Sequence, residues 1–200
     1  MNSFSSQVTE LISLLTPDAL RTLEPRIGAA VEILSRVADQ RLPLLVCGNG
    51  GSAADAQHIA GELVGKFLRE RRALNVRALS TDTSVITAWA NDVAYDTVFS
   101  RQVEAYGAEG GALLAISTSG NSRNVVEAAR QARRMGLAVV ALTGAGGGAL
   151  AEHASVLIDV PSRATPRVQE MHMMVYHFIC EQVEAGVCAD RDQMMMQGSK

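Results

Sequence analysis

His58 and Glu62, in Gln57-His58-Ile59-Ala60-Gly61-Glu62, are separated by one helical turn, so a helix puts both on one face. An imidazole nitrogen and a carboxylate oxygen placed in this way are ligand types for a divalent ion. Ten residues before His58 begins the loop Gly48-Asn49-Gly50-Gly51-Ser52, whose backbone N–H groups can stay free at a helix start and hold an anion. A metal pair just behind an anion loop suggests a metal-assisted enzyme acting on a phosphorylated small molecule.

A second loop, Ser117-Thr118-Ser119-Gly120-Asn121-Ser122, carries four hydroxyls. That density exceeds what a helix cap uses, so it is expected to cradle a phosphate at a helix N-terminus without a lysine. A third, Thr143 to Gly148, is glycine with little else and is expected to be a turn. Of the four histidines, His172 and His177 fall in a last helix that opens Thr165-Pro166-Arg167-Val168-Gln169; His153 is expected at the surface and His172 in a buried contact.

The elements that must position these loops are legible as short apolar runs, each followed by a Gly/Ser/Thr loop and a helical stretch. The strand candidates are Leu44–Cys47, Val76–Leu79, Ala112–Ile116, Val139–Leu142 and Val156–Val160. Helices are expected from near Ala53, Thr83, Ser122, Gly148 and Thr165, the last to about Ala185. Alternation of this kind implies a doubly wound α/β sandwich with a central parallel sheet, whose ligands sit at the carboxyl ends of the strands. Before it, Thr16-Pro17-Asp18 reads as an N-cap with proline at N1, followed by apolar Ile27, Val31, Leu34 and Val37 at helical spacing. Residues 1–40 are expected as a helical segment of the same domain, residues 189–200 as a loose tail.

The bulk numbers narrow the classes. A net charge of -3 from 18 basic and 21 acidic residues, well mixed, gives no footprint for nucleic acid. Three widely spaced cysteines form no CxxC pair, which fits a reducing cytoplasm rather than a disulfide framework. No apolar run approaches a membrane span and no leader pattern opens the chain, so a cytoplasmic protein is expected. The low aromatic content, 4% against 48% hydrophobic, is compatible with helices that bury faces against partner subunits. Gly48-Asn49-Gly50-Gly51-Ser52-Ala53 also matches GxGxxA, but a dinucleotide site wants an acidic residue at the end of the second strand, and Asp82 comes late.

Taken together, CGNGGSAADAQHIAGE, Ala90-Asn91-Asp92, AISTSGNS and TPRVQEMHMMVYH resemble the sedoheptulose 7-phosphate isomerases (phosphoheptose isomerases) of the SIS domain superfamily, over roughly residues 20 to 187. The resemblance implies a SIS domain over residues 41–188 with N-terminal helices for oligomerisation, and a cytoplasmic homotetramer binding one Zn2+ per subunit. It places the zinc ligands on His58, Glu62, Gln169 and His177. The phosphate loop falls on Ser117, Thr118, Ser119 and Ser122, and the sugar contacts on Asn49, Gly50, Gly51, Ser52, Asn91 and Asp92, with Glu62 and Gln169 shared. Its activity would convert D-sedoheptulose 7-phosphate to D-glycero-D-manno-heptose 7-phosphate for ADP- or GDP-heptose synthesis, with Glu62 as base and His177 as acid. Lys66 stands where many members have arginine, and Arg71-Arg72-Ala73-Leu74 replaces the common Arg-Pro-Gly. The alternatives are a non-catalytic relative that binds the replication initiator, whose positions for Glu62 and His177 hold residues unsuited to catalysis, and a sugar-phosphate sensor without zinc.

Overall fold

The computed structural model describes the backbone of residues 3–197 and the side chains of residues 3–189. Leu44–Cys47 (β1), Val76–Ala78 (β2), Ala112–Ser117 (β3), Ala138–Thr143 (β4) and Val156–Asp159 (β5) form one sheet in the order β2-β1-β3-β4-β5. Every neighbouring pair is parallel, with Leu44 opposite both Val76 and Ala112, and Ala112 opposite Ala138. All residues of β1 and β3 are buried, because helices cover both faces of the sheet and leave no side for a polar alternation.

Successive strand residues therefore enter different cores. Leu44, Val46, Leu114 and Ile116 pack with Leu34 and Val37 of Pro17–Asp39 (α2), Ile59 and Leu63 of Gly51–Val64 (α3), and Val175 and Ile179 of Thr165–Gln197 (α7). Leu45, Cys47, Leu113 and Ala115 pack on the other face, with Phe99 and Val103 of Val98–Tyr106 (α5) and Val125, Ala129 and Ala132 of Arg123–Arg134 (α6). The doubly wound sandwich expected from the alternation of elements is present.

Local chemistry sets the helix starts. Thr16 Oγ1 accepts the Ala19 N–H at 3.2 Å ahead of Pro17. Asp82, the residue too late for a dinucleotide ribose, accepts the Val85 N–H at 3.1 Å and caps Thr83–Asp92 (α4). The N-terminal helix Phe4–Ser13 (α1), within the segment expected to be helical, buries no residue of its own and is tied down where Arg167 Nη1 donates to Gln7 O at 2.9 Å.

Three other expectations differ. The stretch from Gly148 is a six-residue 3-10 turn ending at His153, too short and glycine-rich for a full helix. The helix from Thr83 breaks after Asp92, and a 3-10 turn at Tyr95–Thr97 leads into α5. The last helix passes Ala185 and continues to Gln197, so the segment expected as a loose tail is helical in backbone up to that residue; residues 198–200 lie outside the described residues.

His172 is fully buried on α7, as expected, and its Nε2 lies 3.1 Å from the Thr143 carbonyl at the end of β4. Its Nδ1 has no partner, so a second ring proton would be a buried donor without an acceptor. Burial, outweighing the Thr143 bond, lowers its pKa from 6.5 to about 4. The unfolded chain therefore takes up this proton first, and the contribution of His172 is full above pH 6.5 and lost as pH falls toward 4. At about 1.4 kcal/mol per unit the window is worth up to about 3 kcal/mol. Urea unfolding of a His172→Gln variant, which keeps a donor but does not titrate, should show a correspondingly flatter pH dependence between these limits.

Candidate active site

The strand order reverses between β1 and β3, so the loops that follow them face each other at the carboxyl edge. They are joined directly: Asn49 Nδ2 donates to Asn124 Oδ1 at 2.8 Å and Asn124 Nδ2 donates to Asn49 Oδ1 at 2.9 Å, where Tyr95 Oη also donates at 2.9 Å. Gly50, at φ +55, turns the chain into α3. Gly51 leaves room for Gln169, since a Cβ there would sit 2.2 Å from Gln169 Nε2.

In the second loop Ser117 Oγ donates to Ser122 Oγ at 3.1 Å, and Ser119 Oγ accepts the Asn121 N–H at 3.1 Å. Ser122 stands at the N-cap of α6 without making a side-chain cap bond, which leaves the first-turn amides to an anion. The glycine-rich third loop does more than turn. It presses on Gly120, at φ +67, so closely that a Cβ there would lie 1.9 Å from Gly147 O. A cavity of about 410 Å³ between the two loops is lined by Thr118, Ser119 and Asn121, with Arg163 as its charged side chain.

Seven residues along α3 from Gly51, about 10 Å of helix axis, His58 meets Glu62 and His177. His58 Nε2 lies 3.0 Å from Glu62 Oε1 and 3.4 Å from His177 Nε2, and ligand atoms of all three fall within 4.8 Å of one another. Donor atoms around one tetrahedral ion are about 3.3 Å apart, so small side-chain movements suffice for this trio to hold a divalent ion. The set of two imidazoles and a carboxylate suits such an ion chemically as well.

Behind the trio, Tyr176 is fully buried with its hydroxyl 3.1 Å from His58 Nδ1 and 3.4 Å from Asp55 Oδ1. This contact occupies Nδ1 and leaves Nε2 toward the cluster. Burial raises the Asp55 pKa despite the Tyr176 bond and nearby His58, and burial likewise raises that of Tyr176. Phe67 stacks on His177 with centroids 5.8 Å apart.

The other expected residues are dispersed. The described contact of Gln169 is with Gly51 at the start of α3, away from the trio. Ser52 is buried in the first loop. Asn91 and Asp92 are exposed at the end of α4, bonded to each other at 2.7 Å, and no described contact joins them to either loop or to the trio. Lys66 pairs with Glu70 on the surface at 2.6 Å. Asn124, Asp55 and Tyr176 were not foreseen, since an isolated Asn, Asp or Tyr within an apolar helix gives no spacing signal.

The SIS domain family matches residues 4–144, and relatives agree with it over more of the chain. The phosphoheptose isomerase of Akkermansia muciniphila is 52% identical over 77% of this chain and 84% of its own, and that of Roseiflexus sp. 48% identical over 92% and 94%. The chain belongs to the phosphoheptose isomerases of the SIS domain family. Among solved structures, the phosphoheptose isomerase of Neisseria gonorrhoeae superposes with a TM-score of 0.84 at 40% identity, covering 90% of this chain and 96% of that one. Membership of this family makes the facing loops and the trio the candidate active site.

Replacing Tyr176 by Phe removes the hydroxyl between Asp55 and His58 and keeps the ring. Because Asp55 Oδ2 already lacks a partner, the variant should lose about 1–3 kcal/mol of stability in urea unfolding. Its divalent-metal affinity, read by chelator competition, should fall roughly tenfold.

Proposed function

We propose that this chain converts D-sedoheptulose 7-phosphate to D-glycero-D-manno-heptose 7-phosphate, feeding ADP- or GDP-heptose synthesis in the cytoplasm. The observation that carries the proposal is the convergence of His58, Glu62 and His177 between α3 and α7, about 10 Å along α3 from the loops at the carboxyl edge. Non-catalytic binding of a replication initiator, or sugar-phosphate sensing, would need no such trio.

Ser117, Thr118, Ser119 and Ser122 would hold the phosphate with the first-turn amides of α6, fixing the far end of the sugar. Asn49, held by Asn124 and Tyr95, and Gly50, Gly51 and Ser52 would line the sugar chain, with Gln169 at Gly51. We assign Zn2+, one per subunit, to His58, Glu62 and His177, with Gln169 as fourth ligand only if its amide leaves Gly51. Zinc would supply a Lewis acid that polarises the sugar oxygens.

In our mechanism Glu62 takes a proton from C1 of the ketose while His177 donates one to O2, giving an enediol. Glu62 then returns its proton to C2 as the O1 proton goes back to His177, which leaves the aldehyde at C1. A carboxylate committed to a metal is a weaker base, so the scheme requires Glu62 to act through an oxygen not bound to the ion.

We further propose a homotetramer in which Asn91 and Asp92 complete a neighbouring subunit's site. Exposed Met173, Met174 and Phe178 on α7, with Val64 at the end of α3 and Leu68 in the loop after it, give apolar surface for such contacts. Among the described residues no helix is long and apolar enough to cross a membrane, and Cys47, Cys180 and Cys188 are free thiols, which supports the cytoplasmic assignment.

Zinc-loaded protein incubated with sedoheptulose 7-phosphate, with product drawn off by a heptose 7-phosphate kinase, should turn over. Glu62→Gln and His177→Ala should each lower kcat at least about 100-fold. A folded, zinc-replete protein with no turnover, or Glu62→Gln at near-normal rate, defeats the proposal.

A further inference from the structure

We propose that the buried pair Arg71–Glu184 positions the metal ligands, a role that rests on the reading of His58, Glu62 and His177 as a metal site. Both side chains are 1% exposed, with Arg71 Nε 3.2 Å from Glu184 Oε1. A buried ion pair is a poor source of net stability, so the details of what it touches matter more than its presence.

Arg71 works on the carbonyl end of α3. Its Nη2 donates to Glu62 O at 2.7 Å and its Nη1 to Gly65 O at 2.6 Å. A cation here satisfies acceptors left open at the helix end and complements the helix dipole. One of these acceptors is the backbone of Glu62 itself.

Glu184 works from α7 on the loop after α3. Oε1 accepts the Phe67 N–H at 2.9 Å, while Oε2 accepts those of Leu68 at 2.6 Å and Arg69 at 2.9 Å. Burial alone would raise the Glu184 pKa, but these three bonds and the Arg71 charge outweigh it and hold the carboxyl below its ordinary value. The Phe67 backbone held in this way carries the ring that stacks on His177. One ion pair thus reaches Glu62 through its carbonyl and His177 through its stacking partner. It fixes the spacing between ligands that come from two different helices.

The pair's described contacts are with each other and with backbone groups, not with the proposed ligand atoms, so the test must separate positioning from stability. Full-length Glu184→Gln and Arg71→Lys are compared with Leu150→Ala, a core truncation on the opposite face of the sheet. Zinc affinity is measured by competition with a chromogenic chelator, geometry by the visible spectrum of the Co2+ form, and stability by melting without metal. Glu184→Gln and Arg71→Lys should bind zinc roughly 10- to 100-fold more weakly and shift the Co2+ bands, whereas Leu150→Ala should melt earlier with affinity unchanged. Phe67→Leu, which leaves the buried charges intact, should weaken zinc binding several-fold with melting unaltered, and it decides the matter if the other variants fail to fold. Affinity in these variants equal to that of Leu150→Ala overturns the positioning role alone. Absence of zinc binding in the unaltered protein overturns it together with the metal reading.

Discussion

The packing of α3 against α7 on one face of the sheet is the interaction on which the site depends. The two helices run in the same direction, so their contacts form a ladder: Gly51 with Gln169, Asp55 with Tyr176, His58 with His177, and the loop after α3 with Glu184. Neither helix holds all of His58, Glu62 and His177 by itself. Each rung uses a different chemistry, from a glycine that makes room for an amide to a buried carboxylate that gathers three N–H groups. The slide of one helix along the other is thereby restricted, and the trio assembles only at one register.

A second constraint acts at the carboxyl edge. Parallel strands deliver their loops to one side, and the reversal between β1 and β3 opens a crevice there. The reciprocal Asn49–Asn124 bonds tie the loops across it, while the third loop, by its closeness to Gly120, prevents the hydroxyl loop from relaxing toward β4. Hydroxyls and amides held in place can solvate an anion without the reorganisation that free water would require.

Much of this was legible in the residues. The five runs lie where the strands are, and the inner strands β1, β3 and β4 read as apolar runs because they are covered on both faces, while the edge strands β2 and β5 admit Arg77 and Asp159. The i, i+4 spacing of His58 and Glu62 and the hydroxyl density of residues 117–122 pointed to two parts of the candidate site through local geometry alone. The break after Asp92 and the helix α5 escaped notice, since the chain there has no strong turn signal and its buried face depends on the sheet behind it. Arg71 and Glu184 were also missed as a pair, being 113 positions apart in a chain with many charges.

The sequence by itself determined the α/β alternation, the loops able to bind an anion, and the ligand types offered to a metal, because these depend on periodicity and residue chemistry within a few turns of chain. Only the tertiary structure decided which residues meet. It brought His177 to His58 and sent Gln169 to Gly51, turned Tyr176 inward to hold an imidazole, and buried Arg71 against Glu184. These choices follow from how two helices settle on a shared sheet, a matter of packing and desolvation between distant segments that spacing along the chain does not encode.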